Sequence, residues 1–258
     1  MLNITLDMLD RVGRIAKRAG KEILKIYQTD FKVDAKADKS PVTEADRVAE
    51  ALIIRSIREG ITDKLPIVGE ESVAAGNVPA VADTAFWLVD PLDGTKEFVS
   101  KNGEFTVNIA IVENGRPVLG VVHSPVTQQT YWGAAVGSFA QMGDAAERVI
   151  KCRKPPAAGL VAMVSRSHNT PEVDAYLKKF KIARQQSAGS ALKFCLVAEG
   201  VADIYPRFGR TMEWDTAAGH AVLRFAGGQV EDLDGNELAY GKPGFENPHF
   251  VAKGPDIR

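Results

Sequence analysis

The sequence predicts a mixed α+β and α/β chain, layered in two halves of comparable size, with the cleft between them as the place for a ligand. Three observations predict it. A long amphipathic helix opens the chain, short β-rich runs fill the middle, and from about residue 155 strands and helices alternate. A length of 258 residues, 45% of them hydrophobic and 25% charged, suits one large or two modest domains and excludes intrinsic disorder.

From Leu6 onward, apolar residues recur at helical spacing through Leu9, Val12, Ile15, Ala19, Ile23, Ile26 and Tyr27, with charges on the other face. A polar, Lys-rich stretch follows over 31–39. Pro41 disfavours helix just before it, and Thr43 can cap a second helix expected over 44–58. Strands are expected over 65–69, 86–90, 105–112 and 117–124, the last two joined by a hairpin turn at Asn114-Gly115. A linker fits Pro155-Pro156. Beyond it the pattern predicts a strand over 160–164, a helix over 171–180, a strand over 182–186, a helix over 191–199 and a strand over 202–205. A last helix over about 215–225 stops at Gly227-Gly228, and a terminal hairpin is expected to turn at Asp234-Gly235-Asn236. The expected division is an N-terminal α+β domain over 1–152 and a C-terminal α/β domain over 153–258.

With 32 Lys plus Arg against 33 Asp plus Glu, the net charge of −1 gives no long-range attraction to a nucleic acid polymer or an anionic membrane. No basic stripe with interleaved aromatics is present either. Cys152 and Cys195 are too few for a disulfide framework and lack zinc-site spacing, which points to a reducing, intracellular compartment. Charged residues interrupt the first twenty positions, so no signal peptide is expected. No segment approaches the roughly 18 apolar residues of a membrane span.

The chemistry concentrates in Trp87-Leu88-Val89-Asp90-Pro91-Leu92-Asp93-Gly94-Thr95, an apolar strand that ends in two carboxylates, a glycine and a hydroxyl. Pro91 is expected to bend the chain off the strand end so that Asp90 and Asp93 converge, and Gly94 lets backbone approach an oxyanion. A plain strand end followed by a turn explains the same residues. Gly69-Glu70-Glu71 follows another apolar run, and Trp214-Asp215 opens the last helix. Alone, these are solvated loop charges and a helix N-cap. Together the four carboxylates and the Gly94-Thr95 cradle fit two or more Mg²⁺ ions clamping a phosphate, which makes phosphoester hydrolysis the inference. Asp46, three residues after Thr43, has the spacing of a helix-capping acid.

Asp90 to Thr95, Gly69-Glu70-Glu71 and Trp214-Asp215-Thr216-Ala217-Ala218-Gly219 resemble, in order, the three signatures of the inositol monophosphatase superfamily. The resemblance covers nearly the whole chain. It implies a layered α-β-α-β-α sandwich of the inositol monophosphatase and sugar phosphatase type, a lithium-sensitive activity, and two or three Mg²⁺ ions held by Glu70, Asp90, the Leu92 carbonyl, Asp93 and Asp215. The N-terminal domain would then carry most metal ligands. The Gly94 and Thr95 N–H groups would receive phosphate, beside Leu92, Asp93 and Asp215, while Asp46 and Thr95, with Glu70, would orient or deprotonate the attacking water.

Thr95-Lys96-Glu97-Phe98, Asn102 to Ala110, Ser165-Arg166-Ser167-His168, Gly189-Ser190 with Lys193, and Tyr205 to Gly209 resemble the bacterial 3'(2'),5'-bisphosphate nucleotidases of that superfamily. That likeness implies a small phosphorylated nucleotide as substrate: removal of the 3'-phosphate of adenosine 3',5'-bisphosphate to give AMP, with 3'-phosphoadenylyl sulfate as an allied substrate, in sulfate assimilation. Lys193 and Arg207 would hold a second phosphate, and His168 and Ser190 the nucleoside side. Gly69 and Ser72 depart from the nucleotidase pattern toward the inositol and histidinol phosphatases. An inositol 1-phosphatase, or a non-catalytic protein that binds metal and nucleotide, are the alternatives. Relatives include monomers and homodimers, and cytoplasmic enzymes of which some associate peripherally with the inner face of the cell membrane, though no anchor is visible here.

Overall fold

The computed structural model describes residues 4–36, 41–81, 85–166 and 170–257. Helix α1 (Leu6–Tyr27) starts where Thr5 accepts a bond from the Met8 N–H, and it turns Leu9, Val12, Ile15, Ala19 and Ile23 inward. Two short strands, β1 (Val33–Ala35) and β2 (Pro41–Thr43), pair antiparallel where only a polar stretch was expected. Helix α2 (Glu44–Gly60) then begins at its Thr43 cap.

Strand β3 (Ile67–Gly69) runs directly into the short helix α3 (Glu70–Ala74). Strand β4 (Phe86–Asp93) leads through Gly94 into α4 (Thr95–Val99). Then come β5 (Thr106–Glu113), β6 (Arg116–Ser124), β7 (Gln129–Ala134), β8 (Gly137–Met142) and β9 (Arg148–Val149). The expected turn joins β5 to β6, with Asn114 at φ 53° and Gly115 at φ 71°, both left-handed. Strands β3 to β9 form one seven-stranded sheet in chain order, with only the β3–β4 pair parallel.

After the irregular segment over 150–159 come β10 (Leu160–Ser165), α5 (Pro171–Leu177), β11 (Ile182–Ala188), α6 (Leu192–Ala198), β12 (Ile204–Arg207), α7 (Glu213–Phe225), β13 (Gln229–Asp232) and β14 (Phe250–Lys253). They build a five-stranded sheet in the order β11-β10-β12-β14-β13. The expected terminal hairpin is largely replaced: beyond the turn at Gly235, β13 makes one bridge from Glu231 to Glu237 and otherwise pairs with β14.

Both faces of the seven-stranded sheet are buried, and alternation divides them. Trp87, Val89, Ile109, Ile111 and Val121 point toward α1 and α2, while Phe86, Leu88, Ala110, Val112 and Val122 point toward α6 and α7. The five-stranded sheet closes the other side of those two helices with Val161, Met163, Tyr205, Phe250 and Ala252. Its outer face, with Leu160, Ala162, Ile204 and Val251, is covered by Val173 and Leu177 of α5. The result is an α-β-α-β-α sandwich. Helix α7 sits close on β6 and β7 because Gly120 and Gly133 face it. A Cβ on Gly133 would lie 2.7 Å from the Val222 Cα, and one on Gly120 would strike the Ala218 carbonyl. Among the described residues no helix is long and apolar enough to cross a membrane.

Candidate active site

The end of β4 is a bulge, which corrects the expectation that Pro91 ends the strand. Asp90 pairs with Asn108 and Asp93 with Thr106, so the β4 side has one extra residue, and Pro91 sits where no ladder N–H is required. The Leu92 N–H donates to Asp90 Oδ1 at 3.0 Å. The Asn108 amide donates to Asp93 Oδ2 at 3.2 Å. Gly94 then adopts φ 93°, and α4 starts at Thr95.

Glu70 and Glu71 are not loop charges. They open α3, whose first turn is capped from α2: the Glu50 carboxylate accepts the Glu71 and Ser72 N–H groups at 2.8 Å each and the Ser72 hydroxyl at 2.6 Å. Gly69 makes room for it, since a Cβ there would lie 2.6 Å from that carboxylate. Lys36 reaches both glutamates, at 2.5 Å to Glu70 and 2.6 Å to Glu71. Burial works against its charge, but the two carboxylates outweigh it and raise its pKa.

Asp215 is the third residue of α7 and not its N-cap; Met212 is the cap, and its N–H donates to Asp215 Oδ2 at 2.9 Å. The same turn is gripped from the C-terminal loop. The Asn247 amide reaches the Met212 carbonyl at 2.8 Å, Thr216 Oγ1 at 3.1 Å and Thr211 Oγ1 at 3.3 Å. Buried Glu213 accepts the Gly241 and Lys242 N–H groups and pairs with the Lys242 ammonium at 2.7 Å.

Asp46 caps α2 and also faces Thr95. Oδ2 accepts the Thr43 N–H and hydroxyl at 2.7 Å each, and Oδ1 faces Thr95 Oγ1 at 3.3 Å. Thr95 Oγ1 is also 3.3 Å from the Leu92 carbonyl. Burial pushes the Asp46 carboxyl up to about 6; the Thr43 bonds oppose the shift, and Glu71 and Glu70 add to it.

Glu70, Asp93, Gly94, Thr95 and Asp215 border a cavity of about 250 Å³. Glu70, Asp93, Glu97 and Asp215 supply acidic wall; Lys96, Lys193, Arg207 and Arg210 supply basic wall; Phe194, Tyr205 and Phe250 are its aromatic lining. Asp90, Leu92 and Asp46 lie buried outside that lining. Burial raises the Asp90 carboxyl well above the ordinary range, and Glu70, Asp93 and Asp215 push it further in the same direction. Asp215 is raised well above its ordinary value by burial, then by Asp93 and Glu70. The Lys193 ammonium is pushed down to about 8 by burial, against the attraction of Asp93.

Four mutually repelling carboxyl groups with a carbonyl beside them form a hard-oxygen set that calls for a divalent cation. Among the described residues no three of the acidic, His or Cys side chains are already drawn together as one ion's shell. Asp90 and Asp215 each hold a backbone N–H instead. The donor chemistry fits Mg²⁺.

The structure therefore gathers Glu70, Asp93, Gly94, Thr95, Ser190, Lys193, Arg207 and Asp215 around one cavity, with Asp46, Asp90 and Leu92 behind its wall. Ser190 lines the cavity, but its hydroxyl is turned to the Asp93 carbonyl at 2.8 Å and the Glu104 carbonyl at 2.7 Å. His168 lies outside the described residues. Lys36, Glu50 and Glu104 were missed by sequence reasoning; each is a charge in a polar or helical context that solvent would explain equally well.

A fold of this layering, with such an acidic pocket, defines a sugar-phosphatase-like α/β protein, and the family is settled by comparison. Residues 7–253 match the model of the inositol monophosphatase family, and the chain belongs to that family. Its members are metal-dependent phosphatases. The chain is 44% identical over 248 residues to the 3'(2'),5'-bisphosphate nucleotidase CysQ of Escherichia coli strain K12, covering 94% of this chain and 98% of that one. It is 40% identical over 256 residues to the protein of the same name from Buchnera aphidicola, covering 97% and 95%. Among solved structures it resembles CysQ from Bacteroides thetaiotaomicron, a bacterial member of the inositol monophosphatase family, with a TM-score of 0.81 and 38% identity over 99% of this chain and 100% of that one. It also resembles the Thermotoga maritima IMPase, with a TM-score of 0.77 and 27% identity over 96% and 92%.

Proposed function

We propose that this protein is a Mg²⁺-dependent 3'(2'),5'-bisphosphate nucleotidase that hydrolyses the 3'-phosphate of adenosine 3',5'-bisphosphate, leaving AMP, and also accepts 3'-phosphoadenylyl sulfate. The observation that carries this reading is the single cavity bordered by both an acidic set, Glu70, Asp93 and Asp215, and a basic set, Lys193, Arg207 and Arg210. A bisphosphate needs both: cations over the reacting phosphate and fixed positive side chains for the other. The relatives named above as nucleotidases support it.

Glu70, Asp90, the Leu92 carbonyl, Asp93 and Asp215 would hold two or three Mg²⁺ ions. When bound, these supply Lewis acidity toward the phosphoryl and leaving oxygens and lower the pKa of water. Asp46 holds the Thr95 hydroxyl by Oδ1, and Thr95 Oγ1 relays the attacking water's proton to that oxygen as the water oxygen bonds to phosphorus. The P–O bond to the ribose breaks, its electron pair leaves on the 3'-oxygen, and that oxygen takes a proton from a second water to become the ribose hydroxyl. A threonine hydroxyl is too weak an acid to act as the relay alone, and Asp46 remains a carboxylate above about pH 6. The Gly94 and Thr95 N–H groups receive phosphate oxygens; Lys193 and Arg207 face the second phosphate. Residues 1–152 thus supply most metal ligands, and 153–258 supply the nucleotide side with Asp215. A cytoplasmic place agrees with the unpaired thiols of Cys152 and Cys195.

Gly69 and Ser72, whose identities lean toward the inositol enzymes, have another explanation. Gly69 accommodates the Glu50 carboxylate, Ser72 bonds to it, and neither lines the cavity. The test is phosphate release from adenosine 3',5'-bisphosphate with and without Mg²⁺, with products separated by chromatography. AMP formed only with Mg²⁺ is the expected result; turnover unaffected by chelation, or adenosine 3'-monophosphate as the product, would contradict it.

A further inference from the structure

We propose that Glu104 is a specificity-determining positioning residue, a clasp that sets the placement of Lys193 against the acidic wall of the cavity. This rests on the bisphosphate reading above, because only a substrate with two phosphates senses that placement. Glu104 lies just before β5, in the half of the chain that holds the β4 bulge. Three residues of the other half donate to it. Glu104 Oε1 accepts Arg166 Nη2 at 2.7 Å, and Oε2 accepts Arg166 Nε at 2.9 Å and the Gly189 N–H at 2.8 Å. Its carbonyl accepts the Ser190 hydroxyl at 2.7 Å.

The consequence lies in what these partners carry. Ser190 is held at φ 51°, and its carbonyl, with that of Ala188, accepts Lys193 Nζ at 2.7 and 3.1 Å. Lys193 belongs to the basic wall. The same Ser190 hydroxyl reaches the Asp93 carbonyl on the acidic side at 2.8 Å. At Gly189 a side chain has no room, because its Cβ would fall on the Glu104 carbonyl. Glu104 therefore locks the loop over 188–190 against the acidic loop in one register, as bidentate Arg–carboxylate pairs do when geometry matters. Pre-set spacing lets the remote phosphate contribute binding energy without a reordering cost. Loss of the carboxylate leaves the Ser190 hydroxyl on the Asp93 and Glu104 carbonyls and frees the Gly189 N–H, whose peptide carries the Ala188 carbonyl that holds Lys193, so the part that loosens is the Lys193 support and not the metal side.

The experiment compares wild type with Glu104→Gln, Glu104→Ala and Arg166→Met. Arg166 is half-exposed, so that variant folds even if Glu104→Ala does not. For each, kcat and KM are measured on adenosine 3',5'-bisphosphate and on adenosine 3'-monophosphate, and Mn²⁺ binding is measured separately by electron paramagnetic resonance. With one to two charge-assisted bonds lost, kcat/KM on the bisphosphate falls about 10-fold in Arg166→Met and Glu104→Gln and about 100-fold in Glu104→Ala, through KM. The value on the monophosphate, kcat and the Mn²⁺ affinity stay at wild-type level. A bisphosphate-to-monophosphate ratio unchanged in Arg166→Met and Glu104→Gln overturns the clasp while the substrate reading stands. So does a fall in that ratio accompanied by equal loss of Mn²⁺ affinity, which marks a merely structural role. A wild type that does not prefer the bisphosphate overturns the substrate reading, and the clasp with it.

Discussion

A carboxyl group sealed among three others is costly to ionise, and Asp90 is in that position, with burial, Glu70, Asp93 and Asp215 all raising its pKa. Removing its charge should relieve the metal-free fold and disable the site. Asp90→Asn is therefore expected to lose turnover while gaining about 1 kcal/mol of stability without metal, read by calorimetry in chelator. A folded variant with ordinary turnover would defeat the metal-site assignment. Asp46 gives a second prediction at this scale. It must be ionised to take the proton that Thr95 relays, so kcat should fall as pH drops through about 6 or below, bound cations moving the limb downward. Asp46→Asn should cut kcat at least about 100-fold. The carboxylates of this site were legible in the sequence because they cluster in short motifs. Lys36, Glu50 and Glu104 were not, since their partners lie 34, 21 and 62 or more positions away and only the fold brings them near.

Helix α7 shows how an element positions a ligand. Its first turn carries Asp215, and the Asn247 amide holds the Met212 carbonyl, Thr211 and Thr216 around that turn. Asn247→Ala removes these three bonds, while the Met212 carbonyl keeps the Asp215 N–H and Thr216 keeps the Glu213 carbonyl and the Tyr240 hydroxyl, and it should cost about 1 kcal/mol in denaturant unfolding. Mn²⁺ affinity should fall several-fold in the same protein; unchanged affinity would show that the grip does not reach Asp215. Helices α1 and α2 could be read from one-faced apolar spacing. Helices α3 and α4 could not, because five residues are too short for a period to register. Strands β7 to β9 escaped for another reason: Gln129 to Met142 mixes Gln, Thr, Ser and Gly into the apolar run, and the pattern appears only once β6 provides an edge. The β4 bulge was hidden too, since Pro91 reads as a strand end unless the partner register is known.

Across the whole molecule, the two sheets and the helices between them bury polar groups in matched sets, and two buried histidines make the fold sensitive to acid. His123, packed beside Gly20 and bonded to Thr130, is pushed down to about 4 by burial and then Lys17; His220, bonded to Tyr240, is pushed down to about 3 by burial and then Arg224. Depressed bases contribute stability above their unfolded pKa near 6.5, and it is lost as pH falls through the folded values. Each histidine contributes about 3 kcal/mol to that loss between about pH 6.5 and pH 4. His123→Gln should flatten the slope of stability against pH in that window, measured by urea unfolding; a slope equal to wild type would contradict the assignment.

At the same scale the central claim is that one cavity holds two phosphates, one at an acidic end and one at a basic end. Its most direct test is the ratio of kcat/KM for adenosine 3',5'-bisphosphate over inositol 1-phosphate, measured side by side with Mg²⁺, without it, and with added lithium. The expected result is fast, Mg²⁺-dependent and lithium-inhibited release from the nucleotide, with little from the inositol ester. Preference for inositol 1-phosphate would contradict the claim.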